Sequence, residues 1–184
     1  PALREVLSED VEAILRGDPA SVSKREIVLA YPGLQAVSVF RIAHFLHQRG
    51  VPLIPRIMTE HIHSKTGIDI HPGVSIGRGL MIDHGTGIVI GETAVIKDQV
   101  RLYQGVTLGA LSPQHSLVNP DLKRHPTIEN NVIVYAGATI LGDVVVGEGS
   151  IIGGNVWLTH SIPPNSRVFL KDADSVQEER VKAS

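Results

Sequence analysis

The sequence predicts a mainly β protein, a left-handed parallel β-helix of hexapeptide repeats preceded by an α-helical domain. Three observations predict it. An aliphatic residue recurs every six positions at Ile70, Ile76 and Ile82, resumes two places late at Ile90, Ile96, Leu102 and Leu108, and returns at Ile128, Val134, Ile140, Val146, Ile152 and Leu158. Small or apolar residues recur four places further on, from Val74, Leu80, Thr86 and Ala94 to Ser150 and Val156, and Gly commonly follows the aliphatic position, as at Gly77, Gly91, Gly109, Gly147 and Gly153. Aromatic residues make up only 4% of the chain, against 18 glycines. A helix of period 3.6 cannot hold a strict six-residue stripe on one face, and simple alternation leaves the glycines unexplained. Six residues forming one flat side of a triangular coil explain both. Coils stacked ~4.8 Å apart pair strand to strand and bury the aliphatic positions. So narrow a prism admits Ile, Val and Leu but few rings, which accounts for the scarcity of aromatics. The expected solenoid has about four coils.

The elements follow in order, with a helical domain over residues 1–67, a β-helix over 68–164 and a tail over 165–184. Ser8-Glu9-Asp10 opens an amphipathic run through Val11, Ile14 and Leu15 that Gly17-Asp18-Pro19 stops. Ser21 or Ser23 caps a second short helix through Ile27 and Leu29, ending before Pro32. Leu34 to Arg49 is the strongest helix, closed by Gly50, and a fourth runs from about Pro52 to Lys65 and stops at Gly67. Helices placed over one end of a solenoid cover an otherwise open edge. The period breaks twice. One break follows Asp83-His84-Gly85-Thr86-Gly87; the other, residues 109–127, is polar and holds Pro113, His115, Pro120, Arg124 and His125, so it is expected as a loop thrown out of the stack. Natural sequences violate their own pattern at functional places. Past Leu158 the chain leaves the coils through Pro163-Pro164 into a polar tail.

Composition narrows the function. The chain of 184 residues is 42% hydrophobic and 20% charged, which excludes disorder and collagen. Without cysteine there are no disulfides, thiolate zinc sites or cysteine nucleophile. Seventeen basic against 19 acidic residues give no field for nucleic acid. Gly, Asp or His interrupts every long aliphatic stretch, so no membrane span is expected, and the polar start at Pro1 does not read as a signal peptide. The expectation is a cytoplasmic protein.

Nine histidines leave base catalysis, an all-His metal site or structural roles. His61 and His63, two apart near a helix end, point to different faces and are read as surface or core histidines, and His44 and His47 share one helical face as interface or packing residues. Asp69-Ile70-His71-Pro72 opens the first coil, and Asp69 and His84 are fifteen residues apart in a coil of about eighteen. They are therefore expected near one another, facing outward. A carboxylate beside an imidazole fixes its tautomer and strengthens the free nitrogen as a base; an idle surface pair is the other reading.

The segments IDIHPG, SIGRGLMIDHGTGIVIGETAVI and KRHPTIENNVIVYAGATILG resemble serine O-acetyltransferase, of the hexapeptide acyltransferase superfamily, from about Asp18-Pro19 to Ile162-Pro163-Pro164. The resemblance implies acetylation of the L-serine hydroxyl by acetyl-CoA as co-substrate, without a metal, on the way to cysteine. It makes His84 the general base and Asp69 its orienting carboxylate. It places Asp83 at the serine amino group, Arg124 and His125 at the serine carboxylate from a neighbouring subunit, and Asp18 and Pro19 as a closing element. It sets CoA in a groove between two prisms, near Ala110, Ala136 and Gly154, with the Ala110 N–H as oxyanion donor. It further implies a homotrimer, a dimer of trimers as a larger assembly, and a tail that docks on O-acetylserine sulfhydrylase through a terminal isoleucine.

This sequence departs from the family pattern in several places. It has Gly109-Ala110 for the usual Gly-Gly, Val168-Phe169-Leu170-Lys171 for the C-terminal Gly-x-Pro-Ala element, and ends Val181-Lys182-Ala183-Ser184. Alternatives from the residues alone are a hexapeptide acetyltransferase for homoserine, a sugar or a xenobiotic hydroxyl, a β-helical zinc carbonic anhydrase using His71, His84 and His125, and a non-catalytic scaffold.

Overall fold

The computed structural model describes residues 3–112 and 122–170. Pro113, His115 and Pro120 of the expected loop, and the tail from residue 171, lie outside the described residues. Among the described residues four helices come first: α1 (Leu3–Gly17), α2 (Lys24–Ala30), α3 (Pro32–His47) and α4 (Ile54–Thr66). Helix α1 begins a turn before the expected Ser8, and Ser23 caps α2 by accepting a hydrogen bond from Glu26 N. Gly67, left-handed at φ +70, ends α4 and turns the chain into the first strand.

Among the described residues, fourteen short strands then wind into three parallel walls. The first wall holds β1 (Asp69–Ile70), β4 (Val89–Ile90), β7 (Thr107–Gly109), β10 (Thr139–Leu141) and β13 (Trp157–Leu158). The second holds β2 (Ser75–Ile76), β5 (Val95–Ile96), β8 (Thr127–Ile128) and β11 (Val145–Val146). The third holds β3 (Met81–Ile82), β6 (Arg101–Leu102), β9 (Ile133–Val134), β12 (Ile151–Ile152) and β14 (Arg167–Val168). This is the expected left-handed parallel β-helix, with five rungs on two walls rather than about four coils. The six-residue stripe is the core: Ile70, Ile90, Leu108, Ile140 and Leu158 stack inside the first wall and Ile82, Leu102, Val134 and Ile152 inside the third, all buried.

Register shows what the two breaks do. Ile90 pairs with Leu108 and Ile140 with Leu158, coils of eighteen residues. Ile70 pairs with Ile90, a coil of twenty. The two surplus residues sit in the Asp83–Gly87 corner, so Thr86, expected inside, is exposed and Ile88 fills the interior instead. Leu108 pairs with Ile140 and Ile96 with Ile128, so the ladder is in register on both sides of the second break.

A buried ion pair fastens the helices to the first coil. Asp10, fully buried, accepts from Arg41 Nε at 2.7 Å, Arg41 Nη2 at 2.8 Å and Leu80 N at 2.9 Å. Arg41 also donates to Gly77 O at 2.8 Å. Burial pushes the Asp10 carboxyl up, and the Arg41 guanidinium opposes that shift. Close backbone approach helps as well: a Cβ on Gly33 of α3 would lie 2.3 Å from Ile82 O. Breaking a buried pair leaves one charge uncompensated. Asp10→Ala is therefore expected to destabilise the fold by about 3–5 kcal/mol in a denaturation series, and an unchanged midpoint would remove the pair as the anchor.

Candidate active site

The first wall has an edge where the chain enters it and an edge where the chain leaves, and the chemistry-bearing residues divide between them. The entering edge carries the widened corner. His84 takes φ +55, and Gly85 and Gly87 follow at φ +87 and +81. Left-handed backbone is rare outside glycine, and in this corner it lifts the imidazole off the prism. The His84 side chain is 69% exposed, with Nε2 3.8 Å from Asp83 Oδ2. Asp83 in turn accepts from His84 N at 2.8 Å through Oδ1.

The loop after α1 faces this corner across a cavity of about 780 Å³ lined by Asp18, Pro19, Tyr31, Asp83, His84 and Tyr103 among others. Asp18 is largely buried. Its Oδ1 accepts from Ala20 N at 2.8 Å and its Oδ2 from the Tyr31 hydroxyl at 2.6 Å. The bond to that carboxylate, with burial behind it, pushes the Tyr31 phenol up to about 12. Tyr103 stacks on Tyr135, ring centres 5.2 Å apart, and burial pushes its phenol up too. Ala136 and Gly154 sit on successive rungs at the same edge, where Asn155 N donates to Ala136 O at 2.9 Å. Gly154, without a side chain, is exposed, and Ala136, with only a methyl group, is half-buried.

The leaving edge holds a second cavity of about 430 Å³, lined by Asp69, His71, Glu92, Ala110, Arg124 and His125 with Arg56 of α4. Arg124 pairs with Glu92. His125 is 7% exposed and accepts through Nδ1 from Thr93 N at 3.1 Å. Its ring lies over Gly91, where a Cβ would meet Nε2 at 2.1 Å. Burial first, then the Arg124 charge, push the His125 imidazole down to about 4. Burial also lowers His71, whose Nδ1 accepts from Gly73 N at 3.0 Å. Ala110, where the resemblance leads to a glycine, is not among the positive-φ residues, so the alanine fits without strain. Its N–H makes no hydrogen bond among the described residues.

The expected residues thus form two groups. Asp18, Pro19, Asp83, His84, Ala136 and Gly154 lie along the entering edge; Asp69, Ala110, Arg124 and His125 lie along the leaving edge. The expected closeness of Asp69 and His84 within one chain is not observed. Asp69 aligns with Val89, five residues past His84, and the twenty-residue coil turns His84 towards the other cavity. Among the described residues, no three or more His, Asp or Glu are grouped to hold a metal ion, and His71 and His125 open on a different cavity from His84. Tyr31, Glu92, Thr93 and Tyr103 are site residues that the periodicity does not single out. A tyrosine facing outward in an aromatic-poor solenoid is the one signal that marks Tyr103.

The depressed His125 pKa has a definite sign. As pH falls below the ordinary 6.5, the unfolded chain binds a proton that the folded chain refuses. The stability it confers is present above that value and lost progressively as pH falls towards about 4. Ring-proton NMR is expected to show His125 untitrated from about pH 7 to about pH 5. A midpoint in that range would refute the buried, neutral ring.

Comparison with known proteins agrees with the fold and the motifs. A family model described as "Bacterial transferase hexapeptide (six repeats)" matches residues 125–160. A plasmid-encoded serine acetyltransferase of Synechococcus elongatus is 54% identical over 169 residues, covering 90% of this chain and 53% of its own, so the chain spans about half of that relative. A serine acetyltransferase of Helicobacter pylori is 43% identical over 174 residues, covering 95% of this chain and 98% of its own. The crystal structure of serine acetyltransferase isoform 3 from Entamoeba histolytica, in complex with cysteine, superposes with a TM-score of 0.87 at 45% identity, over 94% of this chain and 60% of that one. With a Helicobacter relative matched along nearly its whole length, and the DHGTG corner and RHP segment in place on the solenoid, the chain belongs to the serine acetyltransferase family.

Proposed function

We propose that this chain transfers an acetyl group from acetyl-CoA to the hydroxyl of L-serine, giving O-acetyl-L-serine and CoA for cysteine biosynthesis in the cytoplasm. The observation that carries the proposal is the division of the site: base and ammonium-binding carboxylates on one edge of the first wall, cationic and neutral donors on the other. Each edge is half of a site. A homotrimer, in which the entering edge of one prism meets the leaving edge of the next, completes three of them.

The residues present fit the substrates. Serine carries an ammonium, for which Asp83 and Asp18 offer oxygens, and a carboxylate, for which Arg124 and His125 offer N–H donors. Ala136 and Gly154, small residues on successive rungs, leave room for the extended thiol arm of the co-substrate. The co-substrate supplies an acetyl thioester, activated for attack but still in need of a deprotonated nucleophile.

A serine hydroxyl is a poor nucleophile near neutrality because its proton is held too tightly. His84, exposed at the corner, removes that proton as the oxygen bonds to the thioester carbonyl carbon, and returns it to the departing sulfur as the carbon–sulfur bond breaks. The Ala110 N–H stands where charge develops on the carbonyl oxygen. Asp69, contributed from the neighbouring edge, orients the imidazole.

The test follows thiol release from acetyl-CoA with L-serine, homoserine and a sugar alcohol as acceptors. Serine-dependent release is expected, and none from assembled protein, or a preference for the sugar, overturns the proposal. His84→Ala is expected to lower turnover by about 10²–10⁴-fold with the fold retained. Arg124→Ala is expected to raise the serine KM while acetyl-CoA saturation stays nearly the same. Full activity in a protein whose solution mass is that of one chain would refute the shared site.

A further inference from the structure

The RHP segment returns from the excursion and lands on Thr93. Four hydrogen bonds join them. Thr93 N–H donates to His125 Nδ1 at 3.1 Å, and the Thr93 hydroxyl lies 2.9 Å from the same nitrogen. The hydroxyl oxygen also accepts from Arg124 N at 3.0 Å and His125 N at 3.1 Å. Lys123 closes the arrangement, its Nζ donating to His125 O at 2.6 Å and Thr93 O at 3.2 Å.

The proton positions in this knot are forced. A backbone N–H can only donate, so His125 Nδ1 is the unprotonated nitrogen. The Thr93 hydroxyl, with two N–H groups pointing at its oxygen, has its own proton left for Nδ1. The ring proton therefore sits on Nε2, which has no partner among the described residues and belongs to a residue lining the cavity with Asp69 and Ala110. The titratable and charged groups around the ring are Glu92 and Arg124, Lys123 behind it, and Asp69, His71 and Arg56 lining the same cavity.

We propose that Thr93 is a positioning residue for the acceptor site: its hydroxyl and N–H hold His125 as the Nε2–H tautomer, a hydrogen-bond donor, and seat Arg124 beside it. The two histidines of the site then have separate tasks. His84 accepts a proton, whereas His125 has no lone pair to offer the acceptor and presents an N–H to an acceptor oxygen. The tautomer assignment stands on geometry alone; that the oxygen belongs to the serine carboxylate rests on the acetyltransferase function proposed above.

The test has a spectroscopic and a kinetic arm. In full-length protein labelled with 15N at histidine, long-range 1H–15N correlation is expected to show His125 with an unprotonated Nδ1 and a protonated Nε2. A protonated Nδ1, or fast exchange between both tautomers, overturns the proposal whether or not the protein acetylates serine. In kinetics, Thr93→Val, which keeps the branched shape but puts a methyl group in place of the hydroxyl, is expected to raise the serine KM about tenfold or more while the acetyl-CoA KM stays within about twofold. Thr93→Ser, which keeps the hydroxyl, is expected to recover serine KM to within about threefold of the parent. Equal losses in Val and Ser variants would point to packing rather than the hydroxyl and overturn the role. If Thr93→Val fails to fold, the Ser variant and the parent spectrum still decide.

Discussion

Each coil has to close on the one beneath it with its aliphatic residue in register. Ile70, Ile90, Leu108, Ile140 and Leu158 form one column because every inter-coil hydrogen bond fixes the next residue's place. Surplus chain has nowhere to go inside so narrow a prism. It leaves at a corner, as a two-residue widening at Asp83–Gly87 or as the excursion that ends at Arg124. Both exits border the first wall, so the same constraint that builds the core delivers the functional side chains to its two edges.

Division between edges also separates two electrostatic environments. The entering edge is carboxylate-rich: Asp18 is tied down by Tyr31 and Ala20, and Asp83 is held at the corner beside an exposed imidazole. The leaving edge sets Arg124 and a largely buried imidazole close to Glu92 and Asp69. A zwitterionic amino acid matches such a pair of surfaces better than a neutral sugar does, since each of its charges finds an opposite partner.

The solenoid was legible in the sequence because its interior accepts one aliphatic residue per side, and that demand writes a strict period. The corner at His84 was legible as a break in the period, yet its consequence was not. Counting fifteen residues against a coil of eighteen puts Asp69 beside His84, whereas the actual coil of twenty and the left-handed backbone at His84 turn the two apart. Asp10 read as the start of a helix; its burial against Arg41, thirty-one residues on, leaves no periodic trace. Tyr31 and Thr93 escaped for a similar reason, since a hydroxyl bonding to a carboxylate or an imidazole across a fold is a tertiary event with no local signature.

The clasp between Lys123 and the carbonyls of Thr93 and His125 bears on how this surface tolerates change. Because Arg124 and His125 are pinned to a rung already locked in the stack, the number of residues between Ser112 and Leu122 is uncoupled from where those two side chains come to rest. The closure entropy of a connecting stretch grows only logarithmically with its length. Evolution is thereby free to lengthen, shorten or decorate that stretch without retuning the chemistry it delimits.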